Sequence, residues 1–156
     1  MSYIKEIRKL VGSTRVFVPG VRAIIIEGDG NILLQHRKDN SLWGLPGGSV
    51  ELDETAFEAI KREVKEETSL EVLEAEPMGL YCGPSQKFSY PGGDMVQCFA
   101  IAFIVRKWKG QPNADGVEGS MVRFFSTSEL PENIVPIHIQ TLEDYKAYKG
   151  DFLLSG

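Results

Sequence analysis

Residues 48–70 read GSVELDETAFEAIKREVKEETSL, and this stretch decides how the chain folds and what it binds. Its apolar residues recur at helical spacing, which predicts a helix over 54–68. Within that helix Glu63, Glu66 and Glu67 follow the spacing i, i+3, i+4, which puts three carboxylates on one side, one turn apart. Because like charges at this spacing repel, the cluster favours a bound divalent cation.

A helical wheel separates one of these glutamates from ordinary surface acids. The predicted buried stripe consists of Ala56, Phe57, Ile60 and Val64, and Asp53 is the predicted N-cap. At 100° per residue, Glu67 lies about 20° from Ile60. Burial of a lone carboxylate in that stripe would cost several kcal/mol. Exposure to solvent explains Glu58 well, but it does not explain Glu67.

The segments around this helix carry strand patterns, with further helices at the ends of the chain. Predicted strands cover 14–27, 32–35, 70–81, 95–108 and 121–125, and Gly28-Asp29-Gly30-Asn31 marks a hairpin. Helices are predicted over 2–10 and 138–149, with a helical turn over 126–130 broken by Pro131 and Pro136. This order predicts an α/β fold in which a mixed sheet packs between helices, in a single domain over 1–156.

Composition and charge limit the expected partners and location of the protein. The net charge of the chain is −5, and residues 50–70 hold seven acids and three bases, a local net charge of −4. The remainder is nearly neutral and shows no basic stripe, so a nucleic-acid polymer is not the expected partner. Neither a secretion signal nor a run of 18 apolar residues occurs, and Cys82 and Cys98 are expected to be reduced core thiols. We therefore expect a cytoplasmic protein that does not enter a membrane.

The acidic cluster suits a particular kind of metal ion. Three carboxylates beside an open loop are ligands for a hard cation, Mg²⁺ or Mn²⁺. The two histidines, His36 and His138, are isolated, so they do not suggest zinc, and the segment lacks the spacing of a calcium loop. Since Mg²⁺ prefers a few carboxylates together with water and substrate phosphate, the cluster indicates phosphate chemistry.

The same stretch resembles a known motif. Gly48, then Glu54 and the run 62–70 are similar to the Nudix box, G-x5-E-x7-R-E-U-x-E-E-x-G-U, where U is aliphatic. Every charged position of the box matches, and the one departure is Ser69, where the family has glycine. The preceding WGLPGG at 43–48 also looks like the family. Glycine at the helix exit offers an unstrained left-handed cap, so Ser69 affects the exit and not the acidic residues.

The resemblance implies an α/β/α sandwich in which the box forms a loop–helix–loop. It implies hydrolysis of a nucleoside diphosphate linked to another moiety, such as ADP-ribose, a nucleotide sugar, a (d)NTP or a dinucleoside polyphosphate. The box carboxylates would hold one to three Mg²⁺ or Mn²⁺ ions. A homodimer is also expected, as in many relatives. Two alternatives stay open, a Nudix-fold module that binds nucleotides without turnover and an enzyme that removes pyrophosphate from RNA 5′ ends.

Residue roles follow from the box and the resemblance together. Glu66 and Glu67 are the expected metal ligands, and Glu63 is a third ligand or the base that activates water. The Gly48 carbonyl is a further ligand candidate, because glycine allows close backbone approach. Arg62 is expected to project from the opposite side of the helix and to orient the loop through Glu54.

Four further positions or segments bear on substrate binding. Arg37 follows the predicted strand 32–35 and would face the box loop, where it is either a phosphate ligand or a solvent-exposed or ion-paired residue. Glu118 lies in a later loop, where relatives often supply another ligand or base, and the alternative is a solvated loop acid. Glu51 is either a solvated acid or an outer ligand. The loop 83–94 is the expected specificity loop.

Overall fold

A mixed sheet of nine strands runs through residues 2–155, the part of the chain that the computed structural model describes. The helices are α1 (Tyr3–Val11), α2 (Ala56–Thr68) and α3 (Pro136–Ala147), with a short 3-10 helix at Pro84–Gln86. The strands are β1 (Val16–Glu27), β2 (Asn31–Arg37), β3 (Trp43–Gly44), β4 (Gly47–Ser49), β5 (Glu71–Tyr81), β6 (Lys87–Ser89), β7 (Met95–Lys109), β8 (Gly119–Phe125) and β9 (Leu153–Ser155). No helix within these residues is both long enough and apolar enough to cross a bilayer.

The sheet is ordered β3-β2-β1-β7-β5-β9, and the remaining strands pair at its sides, β4 with β1, β6 with β7 and β8 with β2. Strands β1 and β7 run parallel from the pair Val16 and Val96 to the pair Ile25 and Val105. Strands β5 and β9 are also parallel, and the other pairs are antiparallel. The strand predicted over 95–108 is thus confirmed, and it lies at the centre of the sheet between β1 and β5.

Alternation along β1 produces the layers. Its odd-numbered residues, such as Ala23 and Ile25, pack with Ile60 of α2 in one apolar cluster. The intervening Ile24 packs with Leu142 of α3 in a second cluster on the other face. Because successive strand residues point to opposite faces, one continuous apolar run fills both layers. The expected α/β/α sandwich is confirmed.

The box helix begins later than predicted. Its N-cap is Thr55 and not Asp53, because Thr55 and Glu58 form a reciprocal capping box. Asp53 itself has a left-handed backbone, with φ of 63°. The buried stripe also shifts, since Phe57 is 40% exposed whereas Ala59 is fully buried. Glu67 is buried, as the wheel predicted.

Several other expectations need correction. The segment 126–130 is a turn and not a helix, and the closing helix begins at Pro136 instead of after it. Proline fits the first helical turn, where its missing N–H has no intrahelical partner. The loop 83–94 contains the short strand β6, and β9 lies in a segment where no strand was predicted. By contrast α1 begins after Ser2, whose side chain caps it as expected.

Candidate active site

Strand β4 carries the entry loop of the box against β1 and under α2. The N–H of Gly47 donates a 2.9 Å hydrogen bond to Oε2 of Glu67. A Cβ atom on Gly47 would lie 2.1 Å from the Val21 carbonyl oxygen, and one on Gly48 would lie 2.5 Å from Oε1 of Glu63. Only glycine permits the approach at Gly47, because the clash is with backbone, whereas a side chain at Gly48 would displace the Glu63 carboxylate.

Arg62 links the two ends of the box. Its guanidinium donates to both carboxylate oxygens of Glu54 at 2.7 and 3.0 Å, and to the Ser49 carbonyl at 3.0 Å. It also donates to Oε1 of Glu63 at 2.7 Å and lies 3.6 Å from Glu66. The predicted contact with Glu54 is therefore present. The prediction that Arg62 projects away from the acidic face is wrong, because its long side chain reaches back to that face.

Glu67 has the most strongly shifted pKa among the carboxylates of the site. The residue is only 2% exposed, and burial raises the pKa of its carboxyl well above the ordinary value. The hydrogen bond from Gly47 opposes this rise, and the nearby charges of Glu63 and Glu118 add to it. Burial also raises the pKa of Glu63, against the effect of Arg62. The fold thus holds several carboxylates together at a cost in electrostatic free energy.

Glu118 reaches this cluster from a distant loop. The loop is shaped by Asp115, whose Oδ1 accepts hydrogen bonds from the three backbone N–H groups of residues 117–119. Lys38 fixes the same loop, since its N–H donates to the Glu118 carbonyl and its ammonium to the carbonyl of Gly116. Glu118 thus lies close enough to Glu67 to influence the pKa of its carboxyl.

These residues border an open cavity, here called the outer cleft, with a volume of about 720 Å³. Its walls are formed by Ser2, Lys5, Arg37, Lys38, Asp39, Gly47, Gly48, Ser49, Glu51, Arg62, Glu63, Glu66, Tyr90, Val117 and Glu118. Glu66 is the most solvent-accessible of the three clustered glutamates, with 59% of its side chain exposed. Glu67 lies beneath the wall, on the Gly47 amide.

Arg37 occupies the border of the outer cleft, as predicted. Its guanidinium forms a two-pronged ion pair with Asp39, with hydrogen bonds of 2.9 and 2.7 Å. This pairing raises the pKa of Arg37 and lowers that of Asp39. The Glu51 carboxylate accepts a 2.8 Å hydrogen bond from the Tyr3 N–H, so it anchors α1.

A second, smaller cavity of about 100 Å³ continues from the outer cleft and is called the inner pocket. The two cavities share Arg37, Gly47, Gly48, Ser49 and Tyr90. Apolar side chains supply most of its remaining lining, namely Val18, Val21, Leu45, Phe88, Val96, Ala100, Val135 and Ile137. Phe88 and Tyr90 come from the predicted specificity loop and meet edge to face, with ring centres 5.1 Å apart.

Two buried polar side chains lie in the inner pocket. Arg22 is 2% exposed and donates to the Ile137 carbonyl, Thr141 Oγ1 and Gln86 Oε1 at 2.8 to 3.0 Å. His138 accepts a 3.0 Å hydrogen bond from the Leu45 N–H at Nδ1, and burial lowers its pKa well below the ordinary value. Of the two isolated histidines, His138 is therefore buried and makes a structural hydrogen bond.

Sequence reasoning missed the residues that build the inner pocket and part of the outer cleft. Arg22 carried a usable signal, because it is a lone charge within the apolar run 21–26. Lys5 and Lys38 carried none, since isolated lysines are common on any surface. Their positions depend on long-range packing that spacing does not encode.

The donor set of the outer cleft fits a divalent metal ion. Glu63, Glu66, Glu67 and Glu118 offer carboxylate oxygens, which are the ligands that Mg²⁺ and Mn²⁺ prefer. Burial raises the pKa of Glu67, the charges of Glu63 and Glu118 add to this rise, and a bound cation would favour the ionised form. Within residues 2–155, however, no three such side chains are gathered in the geometry of a formed metal centre. Glu63, for example, is turned towards Arg62.

The fold and the site define the class of protein: an α/β/α sandwich with a carboxylate cluster on a helix that follows a glycine-containing loop. Comparison with known proteins identifies the family. A family model described as the NUDIX domain matches residues 16–145. The chain belongs to the Nudix hydrolase family, as its box indicated.

Individual relatives agree. An ADP-ribose pyrophosphatase of Methanocaldococcus jannaschii is 37% identical over 129 residues, covering 81% of this chain and 72% of the relative. A putative 8-oxo-dGTP diphosphatase of Bacillus subtilis is 34% identical over 131 residues, covering 84% and 81%. The crystal structure of a MutT NUDIX hydrolase from Burkholderia pseudomallei superposes with a TM-score of 0.69 at 25% identity, covering 82% of this chain and 97% of that one.

Proposed function

We propose that this enzyme hydrolyses the pyrophosphate bond of a nucleoside diphosphate linked to another moiety, with Mg²⁺ or Mn²⁺ bound at the box carboxylates. The observation that carries the proposal is the junction of the two cavities at Gly47, Gly48 and Ser49, directly beside Glu63. A half-apolar pocket and a charged cleft joined at that point suit a molecule with a nucleoside at one end and phosphates in the middle.

The inner pocket would hold the base. Its walls are largely apolar, and the Phe88 and Tyr90 rings stand at its border. Flat, weakly polar groups bind favourably against aromatic and aliphatic side chains. Since Arg22 and the ring of His138 both present nitrogen atoms there, a base with acceptor atoms on its edge would be oriented by these side chains.

The pyrophosphate would lie at the glycine pair, between Arg37 and the acidic face of α2. Glu66 and Glu67 would hold the metal ion, with Glu118 and the Gly48 carbonyl as further candidates. A bound ion of this kind polarises a phosphoryl oxygen and lowers the pKa of its bound water. Arg37, already oriented by Asp39, is placed to pair with a phosphate oxygen.

Glu63 would act either as a third metal ligand or as the base that accepts a proton from the attacking water. Its carboxylate lies against Gly48 and is fixed by Arg62, which Glu54 holds in turn. This chain of contacts keeps the Glu63 oxygens at the junction of the cavities. Glu54 and Arg62 are therefore proposed as positioning residues for the reaction.

The relatives support the reaction class and leave the substrate open. The names of two relatives refer to ADP-ribose and to 8-oxo-dGTP, which share a nucleoside with at least two phosphates. Shared chemistry of this kind agrees with the two cavities. We therefore propose ADP-ribose, nucleotide sugars, (d)NTPs and dinucleoside polyphosphates as the substrates to compare.

The test is a substrate panel assayed with Mg²⁺, with Mn²⁺ and with chelator, in which products are identified by mass. We expect metal-dependent release of two phosphate-bearing products from at least one class. Tight nucleotide binding without cleavage, measured by calorimetry, would instead support a binding module. A panel that includes triphosphorylated RNA separates the RNA 5′-end alternative from the others.

Location and assembly stay predictions. Cys82 and Cys98 are free, half-buried thiols, which suits a reducing compartment, and we propose a cytoplasmic enzyme. The expected homodimer is tested by light scattering, where it would give twice the mass of the chain. A mass equal to one chain at micromolar concentration would contradict it.

A further inference from the structure

Helix α1 lies outside the residues that the NUDIX family model matches, yet it borders the outer cleft. None of its residues is fully buried, although Ile4 and Ile7 are half-buried. Polar contacts tie it to the rest of the chain. The Tyr3 N–H donates to Glu51 at 2.8 Å, and the Arg8 guanidinium donates to carbonyls of Gly12, Thr14 and Met95 at 2.6 to 3.0 Å. These contacts fix both ends of the helix.

The docking of α1 adds two residues to the cleft, Ser2 and Lys5. Glu51, which anchors the helix, belongs to the box loop and lines the same cleft. The first turn of α1 is thus tied directly to the segment that carries the catalytic candidates. Its position is therefore coupled to the box loop through Glu51.

The cations of the outer cleft differ in how they are engaged. Arg37 is paired with Asp39, Lys38 donates to the Gly116 carbonyl, and Arg62 is shared between carboxylates. The Lys5 ammonium makes no hydrogen bond or ion pair with any residue of 2–155. Among these four cations of the described chain, Lys5 alone keeps its full hydrogen-bonding capacity for a ligand.

We propose that Lys5 binds an anionic group on the part of the substrate that occupies the outer cleft, beyond the pyrophosphate as seen from the inner pocket. This inference rests on the proposed function, because that function sets the direction of the substrate. A lysine ammonium is a common partner of phosphate oxygens. The cleft also contains several carboxylates, so an additional phosphate there needs a cation that the protein has not already paired. Lys5 therefore favours substrates with an extra terminal phosphate over those whose second moiety is uncharged.

The test compares K5Q with K9Q, a matched control on the same helix whose lysine pairs with Glu6 and does not line the cleft. The two substrates are a deoxynucleoside triphosphate, which carries an extra terminal phosphate, and ADP-ribose, whose second moiety is an uncharged ribose. We expect K5Q to raise KM for the triphosphate about tenfold with little change in kcat, and to change KM for ADP-ribose less than about twofold. K5R should restore most of the triphosphate affinity, and K9Q should behave as the wild type.

A second variant tests the contact that positions the lysine. E51A removes the acceptor of the Tyr3 N–H, so it should reproduce part of the K5Q effect on the triphosphate. In the double variant the two effects should not add, because both act through one ammonium group. Fully additive effects would show that Glu51 acts independently of Lys5 and would overturn the proposed positioning.

Failure of this inference can be told apart from failure of the proposed function. If the wild type cleaves the panel and K5Q affects both substrates equally or neither, Lys5 does not select for the extra phosphate. If the wild type cleaves nothing, the binding of an α,β-methylene nucleoside triphosphate decides. Calorimetry should then give a dissociation constant about tenfold higher for K5Q, and equal values would overturn the inference.

Discussion

The outer cleft and the inner pocket share five lining residues but are built differently. Box residues supply much of the outer cleft, and its acids crowd around the buried Glu67. The inner pocket is assembled from β1, β6, β7 and α3, and its buried Arg22 has neutral hydrogen-bond partners. The outer cleft holds carboxylates of like charge, whereas the inner pocket holds a buried guanidinium whose hydrogen bonds are satisfied. We infer that the first is arranged for reaction and the second for folding and substrate fit.

The largest effect should come from E67Q. We expect kcat/KM to fall by about 10³-fold, because the variant removes a negative charge that the metal ion requires. The metal-free protein should nevertheless melt roughly 3 °C higher, since a buried carboxylate among like charges is replaced by a neutral isostere. Steady-state kinetics and calorimetric melting measure the two effects.

E71Q, which changes an exposed acid at the start of β5, is the control and should alter neither quantity. An E67Q enzyme with wild-type turnover would remove Glu67 from the reaction. An E67Q protein that melts at a lower temperature would show that the acidic cluster does not oppose folding.

The opposite pattern is expected in the inner pocket for R22M. Because three buried acceptors lose their donor, the free energy of unfolding should fall by about 3 kcal/mol in urea titrations. At saturating substrate and a temperature where the variant is folded, kcat should stay close to the wild-type value. A stable R22M protein with a large loss of kcat would reverse the contrast between the two cavities.

A pH-dependent effect should come from His138. Burial lowers its pKa in the folded chain, whereas the unfolded chain has the ordinary value of about 6.5. Below that pH the unfolded chain binds a proton that the folded chain resists, so stability falls as pH decreases, by at most about 1.4 kcal/mol per pH unit. Above it this contribution is fully present.

H138N keeps an acceptor for the Leu45 N–H and cannot take up that proton. Urea titrations between pH 5 and 7 should therefore give a flatter stability profile for H138N than for the wild type. H36N, which changes a half-buried histidine bonded to Ser120, should retain the wild-type slope. Parallel slopes for H138N and the wild type would assign the pH dependence to other groups.

The smallest effect is expected at the exit of the box helix. Ser69 adopts a left-handed conformation, with φ of 65°, where glycine is favoured. We expect S69G to raise the free energy of unfolding by about 1 kcal/mol and to leave turnover unchanged. S69A, which keeps the strain, should not stabilise. A loss of activity in S69G would tie the helix exit to the reaction.

The sequence predicts what is local in this molecule. The helical spacing of 54–68 shows that Glu67 is buried, and the glycine-containing turn at 28–31 forms the predicted hairpin. The start of α2 is missed because a capping box at Thr55 competes with Asp53 as the N-cap. Such neighbouring candidates differ by only about 1 kcal/mol, which propensity alone does not resolve.

Long-range packing explains what the sequence does not predict. The lining of the inner pocket joins Val18, Val96 and His138, which are far apart in the chain. Glu118 approaches Glu67 only because Asp115 and Lys38 shape its loop. The resemblance to a family suggested Glu118 as a candidate, whereas no spacing rule could identify Lys5.

The central claim is that water attacks a phosphorus atom at the junction of the two cavities, and hydrolysis in ¹⁸O-labelled water tests it most directly. With Mg²⁺ or Mn²⁺ and the best substrate of the panel, mass spectrometry should find one ¹⁸O in the phosphate group of one product and none in the other. E67Q should give no labelled product on the same timescale. Label on carbon, or tight binding with no labelled product from the wild type, would contradict the claim.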